Sequence, residues 1–146
     1  MNKHLDLYRD FFENLSVDNL DSIEMLFAPD AVFKDPFNCV RGHAAIRRIF
    51  EHLLREYPKT EFKIVESVEV NNIAYLQWYF RPDSTKSLEI EGVSRVQLSG
   101  SGEVLLHQDY WDSMSELYVK IPVVGSVANW LLRRSQACSE DQIVKD

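Results

Sequence analysis

The 146 residues carry a formal charge of −7, with 45% hydrophobic and 27% charged side chains. That size suits one domain with a sizeable core and is too small for two. The acidic balance argues against nucleic-acid binding, which calls for a basic surface, and Arg133-Arg134 is only a small basic patch.

Lys3 to Leu15 sets Leu5, Tyr8, Phe11, Phe12 and Leu15 at a helical period with one apolar face. Ser16 to Asp18 breaks the pattern. Asp18 suits the N-cap of a second helix that turns Leu20, Ile23, Leu26 and Phe27 inward, and Pro29 ends it. A short strand, Ala31 to Asp35, closes at Pro36, and Asn38 to Gly42 reads as a loop. A third helix, from about His43 to Tyr57, aligns Ile46, Ile49, Phe50, Leu53, Leu54 and Tyr57 and stops at Pro58.

The period then switches to two. Phe62, Ile64, Glu66, Val68 and Val70 alternate along one strand, and Asn71-Asn72 is a hairpin turn signal. Ile73 to Arg81 is a second strand and Leu88 to Leu98 a third. Ser99 to Gly102 makes a tight turn, and Glu103 to Asp112 is the fourth. Helices first and strands afterwards predict an α+β fold, helices over a curved antiparallel sheet. The main domain is expected over 1–112. Residues 113–138 read as an amphipathic extension packed on it, with Val127, Trp130 and Leu131 beside Arg133 and Arg134. The last residues, 139–146, read as a frayed tail.

Two cysteines, Cys39 and Cys138, do not make a disulfide framework. The polar opening from Met1 to Asp10 lacks a secretory core, and no run approaches the ~20 apolar residues of a membrane span. A cytoplasmic chain without integral membrane association is expected.

Asp35 is the leading candidate for chemistry. Val32, Phe33 and Phe37 surround it, and apolar surroundings make a carboxylate a better proton acceptor. The competing reading is a turn residue before Pro36 whose carboxylate accepts backbone N–H bonds. On the fourth strand, period two puts Leu105, His107, Asp109 and Trp111 on one face. Histidine titrates near neutrality, and a carboxylate two residues away can orient it. On the second strand Tyr75, Gln77, Tyr79 and Arg81 share a face opposite Ala74, Leu76, Trp78 and Phe80. The four histidines, His4, His43, His52 and His107, have no zinc spacing. No phosphate loop, nucleophile elbow or dinucleotide fingerprint occurs. No metal and no cofactor are expected.

Three stretches carry a family resemblance. Asn19-Leu20-Asp21-Ser22-Ile23-Glu24-Met25-Leu26-Phe27-Ala28-Pro29-Asp30-Ala31-Val32-Phe33-Lys34-Asp35-Pro36 resembles the second helix and first strand of ketosteroid isomerases and SnoaL-like polyketide cyclases. Arg41-Gly42-His43-Ala44-Ala45-Ile46 resembles the start of their third helix. Gly102 to Asp112 resembles the last strand of SnoaL-like proteins. All belong to the nuclear transport factor two-like superfamily.

The resemblance implies a cone-like curved sheet around an apolar pocket, and a homodimer through the outer sheet face. It matches Asp35 to the general base of the isomerases. It turns His107, Asp109 and Trp111, and the set Tyr75, Gln77 and Tyr79, toward the pocket. At the isomerases' oxyanion-donor positions this chain has Phe11 and Ser94, and Phe50 replaces a further pocket tyrosine. Tyr8, one turn before Phe11, is the nearest substitute. Lost donors argue against ketosteroid isomerase activity, because such donors are usually the largest catalytic contribution.

Three functions stay open. One is cofactor-independent proton transfer (isomerisation, cyclisation or dehydration) on a small hydrophobic carbonyl compound by Asp35, His107 and Asp109. The second is a binding module for a small hydrophobic ligand, and the third a dimeric protein-interaction module.

Overall fold

The helical period of the first segment becomes α1, Lys3–Glu13, whose buried side chains are Leu5, Tyr8, Phe11 and Phe12. The structure is a computed structural model that describes residues 3–83 and 88–113. The expected extension past Ser113 and the frayed tail lie outside the described residues. Met1–Trp111 group into one compact unit, the one described below.

After α1 the chain makes a 3₁₀ turn, Val17–Ser22, and a single turn of helix, α2, Ile23–Leu26. Ser16, rather than Asp18, is the N-cap residue. Its backbone N–H donates to the Asn19 side chain at 3.0 Å, one half of a capping box. Strand β1, Phe27–Lys34, starts earlier than the sequence suggests and contains Pro29. Proline is tolerated there because the pairing with the neighbouring strand is irregular between Phe27 and Val32, so no ladder donor is lost. The segment read as a loop contains a short strand, β2, Cys39–Arg41, hairpinned onto β1.

Helix α3, His43–Glu56, buries Ile46, Phe50 and Leu54. Then follow β3, Glu61–Val70, β4, Ile73–Arg81, β5, Ile90–Leu98, and β6, Val104–Trp111. Asn71 and Asn72 both take positive φ (51° and 61°), as a two-residue hairpin turn requires.

The six strands form one sheet in the order β2-β1-β6-β5-β4-β3. The sheet is mixed rather than antiparallel throughout, because β1 runs parallel to β6. That pairing brings the early strand beside the last one, with Phe33 opposite His107. The helices cover one face of the curved, unclosed sheet, and the core lies between them: Tyr8, Phe12, Ile23, Phe27, Phe50, Leu76 and Val96 are among its buried residues. This is the expected cone-like α+β fold.

Two bulges reset the faces. On β3, Ile64 pairs with Trp78 and Glu66 with Gln77, so Val65 is the extra residue. Phe62 and Ile64 face the core, but Val68 and Val70, expected on the same face, emerge exposed. On β6, Val104 pairs with Leu98 and Leu106 with Gln97, leaving Leu105 extra. A bulge shifts the alternation by one residue. It turns Leu105 outward while Val104 and His107 point in.

Candidate functional site

His107 is the most deeply buried titratable group on the sheet, 2% exposed. Its ring lies between two phenyl rings. Phe33, its partner across the parallel pairing, stacks at 4.6 Å with 10° between planes, and Phe12 from α1 stacks at 5.6 Å and 25°. Both ring nitrogens are engaged: Nε2 with Asp109 Oδ1 at 2.7 Å, and Nδ1 with the Tyr8 hydroxyl in a short hydrogen bond.

A second arm meets the same carboxylate oxygen. Ser94, opposite Asp109 in the β5–β6 register, donates from Oγ to Asp109 Oδ1 at 2.5 Å. Ser94 in turn accepts from the Trp78 indole Nε1–H at 2.8 Å. Trp78 can lie there because it faces Gly92 across the β4–β5 pairing. A Cβ built on Gly92 would overlap the Trp78 ring.

The proton positions follow from the donor inventory. An indole nitrogen only donates, so Ser94 accepts from Trp78 and spends its one hydrogen on Asp109. A carboxylate only accepts, so His107 Nε2 carries a proton toward it. His107 Nδ1 then accepts from Tyr8. Burial, and secondarily the nearby Asp109 charge, hold the Tyr8 hydroxyl well above the ordinary tyrosine range, so it stays a neutral donor. Two arms, Tyr8–His107 and Trp78–Ser94, therefore converge on Oδ1. Oδ2 of Asp109 makes no hydrogen bond to any described residue.

Asp109 borders two spaces. One is a small, partly open cleft of about 30 Å³ lined, among the described residues, by Phe12, Phe62, Ile64, Leu76, Trp78, Ser94, His107 and Asp109. The other is an open depression of about 520 Å³, lined by Asp35, Pro36, Tyr110 and Trp111 among others. The Asp109 side chain is 16% exposed.

Several sequence expectations need correction. Asp35 does not enter the cavity. Its Oδ1 accepts from the backbone N–H groups of Phe37 and Asn38, each at 2.7 Å, and both oxygens accept from the Asn38 amide. The turn reading is the one the geometry supports. Tyr75, Gln77 and Tyr79 face away from the core, with Tyr75 45% exposed. Burying Ala74, Leu76 and Trp78 removes more apolar area from water, and the outward set keeps its polar tips hydrated. Phe11 and Phe50 are core residues packed edge to face at 5.8 Å and do not line the cavity. Trp111 sits at the open depression, against Phe37 at 5.6 Å.

The family model for the SnoaL-like domain matches residues 8–107, more than half of the chain. The chain belongs to the SnoaL-like family. No curated protein sequence matches it significantly.

Solved structures show the same fold at low identity. A nuclear transport factor two-like protein of unknown function from Cytophaga hutchinsonii is 16% identical over 79% of this chain and 95% of its own, with a TM-score of 0.62. Another from Burkholderia pseudomallei is 14% identical over the same shares, with a TM-score of 0.67. A protein of ketosteroid isomerase-like fold from Catenulispora acidiphila, in complex with trimethylamine, is 13% identical over 80% of this chain and 91% of its own, at a TM-score of 0.67.

Within this SnoaL-like chain, the wall residues that sequence reasoning missed are Phe12, Phe62, Ile64, Leu76 and Trp78. The signal for Trp78 was present in the apolar set Ala74, Leu76, Trp78 and Phe80. An unbroken apolar alternation is the face a half-buried strand turns to the core.

Proposed function

We propose that the chain is a cofactor-independent, cytoplasmic proton-transfer enzyme acting on a small, mainly apolar carbonyl compound, with Asp109 as the base. The observation that carries this is a carboxylate fixed through one oxygen by two buried donors, with its other oxygen unengaged by any described residue, beside a small cleft. Fixing the carboxylate in advance removes the cost of orienting it during reaction. In the reaction, Asp109 takes a proton from the carbon next to the carbonyl. The C–H electron pair moves toward the carbonyl oxygen, which lies in the open depression where water hydrogen-bonds it, to give an enolate, and the carboxylic acid returns the proton. His107 and Ser94 act through Asp109 and are positioning residues.

The test follows deuterium uptake at the acidic carbon of acetoin and cyclohexanone in D₂O by NMR. The wild-type protein should accelerate uptake. Asp109→Asn should lower the rate at least ~10²-fold, the usual worth of a general base. Undiminished uptake in the variant would remove the assignment.

Assembly as a homodimer through the outer sheet face belongs to the same reading. Val68, Val70, Tyr75 and Val93 form an exposed apolar group on β3, β4 and β5, and the expected occupant is a second copy.

A further inference from the structure

Among the described residues, every side-chain hydrogen-bond donor in the cleft wall is already spent. Trp78 gives its N–H to Ser94, Ser94 its O–H to Asp109, and His107 its Nε2–H to Asp109. The Tyr8 hydroxyl behind His107 is spent on Nδ1. The other lining side chains, Phe12, Phe62, Ile64 and Leu76, have no polar atom. What stays available is acceptor capacity: Oδ2 of Asp109 and the second lone pair of Ser94.

A ligand carbonyl oxygen placed here would meet no donor and would face a carboxylate, whereas a hydroxyl or amine would find an acceptor. The penalty is asymmetric, because a buried polar group left unpaired costs more than a made bond returns. We infer that the polar group seated on Asp109 is a hydrogen-bond donor, so that this site selects hydroxylated or amino-substituted compounds over plain ketones.

The size of the spaces fits that reading. The cleft of about 30 Å³ takes one group the size of a water molecule, such as a hydroxyl or an ammonium. Asp109 also borders the open depression of about 520 Å³, where Pro36 and Trp111 offer an apolar wall for the rest of the molecule. The inference rests on the proposed site and narrows its substrate to carbonyl compounds that also carry a hydroxyl or amino group.

Three ring compounds of one shape separate the outcomes: cyclohexanol, cyclohexylamine and cyclohexanone, titrated while the Trp78 indole N–H signal is followed by NMR. The alcohol and the amine should bind the wild-type chain roughly tenfold or more tightly than the ketone, the usual scale of one charge-assisted hydrogen bond. Asp109→Asn supplies an amide N–H₂ in place of an acceptor oxygen and should move the preference toward the ketone. Its folded signal dispersion is checked first, and the wild-type series alone decides the question if the variant does not fold. A ketone that binds wild type as tightly as the alcohol overturns the donor rule while leaving proton transfer at Asp109 standing. No binding by any of the three also overturns the donor rule, and deuterium uptake into acetoin decides proton transfer at Asp109 separately.

Discussion

Asp35 and Asp109 are both carboxylates bordering the open depression, yet their surroundings differ. Asp35 holds a turn. Asp35→Ala should cost about 1 kcal/mol of stability in urea titrations, the scale of a lost, partly solvated hydrogen-bond set. It should leave deuterium uptake nearly unchanged. Tyr8→Phe removes the donor to a buried imidazole nitrogen and should cost ~1–3 kcal/mol. The pH dependence has a definite sign. Tyr8 holds its proton more tightly folded than unfolded. Above pH ~10 the unfolded chain therefore gives up a proton that the folded chain keeps. Stability from Tyr8 is present in full below that pH and is lost as pH rises beyond it. Tyr8→Phe should flatten this alkaline loss, read from denaturation midpoints at pH 8 to 11. An equally steep loss in the variant would mean that other groups cause it.

At the scale of the element, the strands decide which side chains can meet. Gly92 is where β5 lets the Trp78 ring cross it. Gly92→Ala should force the indole away from Ser94 and destabilise the fold by ~1–3 kcal/mol, the range for overpacking a core. A faster-exchanging Trp78 indole N–H would confirm the cause.

The helices, the Asn71-Asn72 turn and the four long strands were legible in the sequence because their periods are 3.6 and 2, and only one phase of each buries its apolar residues. The dyad was legible in part, since His107 and Asp109 share strand parity. The outward turn of Val68, Val70 and Leu105 was not, because a bulge adds one residue without any composition signal. The outward facing of Tyr75, Gln77 and Tyr79 was misread from family matching, against the plainer apolar alternation of their neighbours. The β2 strand was hidden because three mostly exposed residues carry no pattern, and the parallel β1–β6 pairing because register between distant segments leaves no local mark.

For the whole molecule, the fold concentrates its polar exceptions. Among the described residues, Ser94, His107 and the Tyr8 hydroxyl are buried polar groups, and they join into one network at Asp109. Buried polar groups that are satisfied specify one arrangement of a core, and half-satisfied ones cost stability. The side-chain donors around Asp109 are accordingly all paired. The exposed outer face is a second whole-molecule feature. Sedimentation equilibrium should find a dimer, and Val68→Lys with Tyr75→Lys should shift it toward monomer without loss of helical circular dichroism. A wild-type monomer at micromolar concentration would remove the dimer. Among the described residues, no helix is long and apolar enough to cross a membrane.

Which carboxylate exchanges a proton with the ligand decides the proposed function. The direct measurement is deuterium uptake into acetoin by three proteins side by side: wild type, Asp109→Asn and Asp35→Asn. Uptake that collapses only in the Asp109 variant is the predicted result. Collapse in the Asp35 variant with Asp109→Asn still active would contradict it.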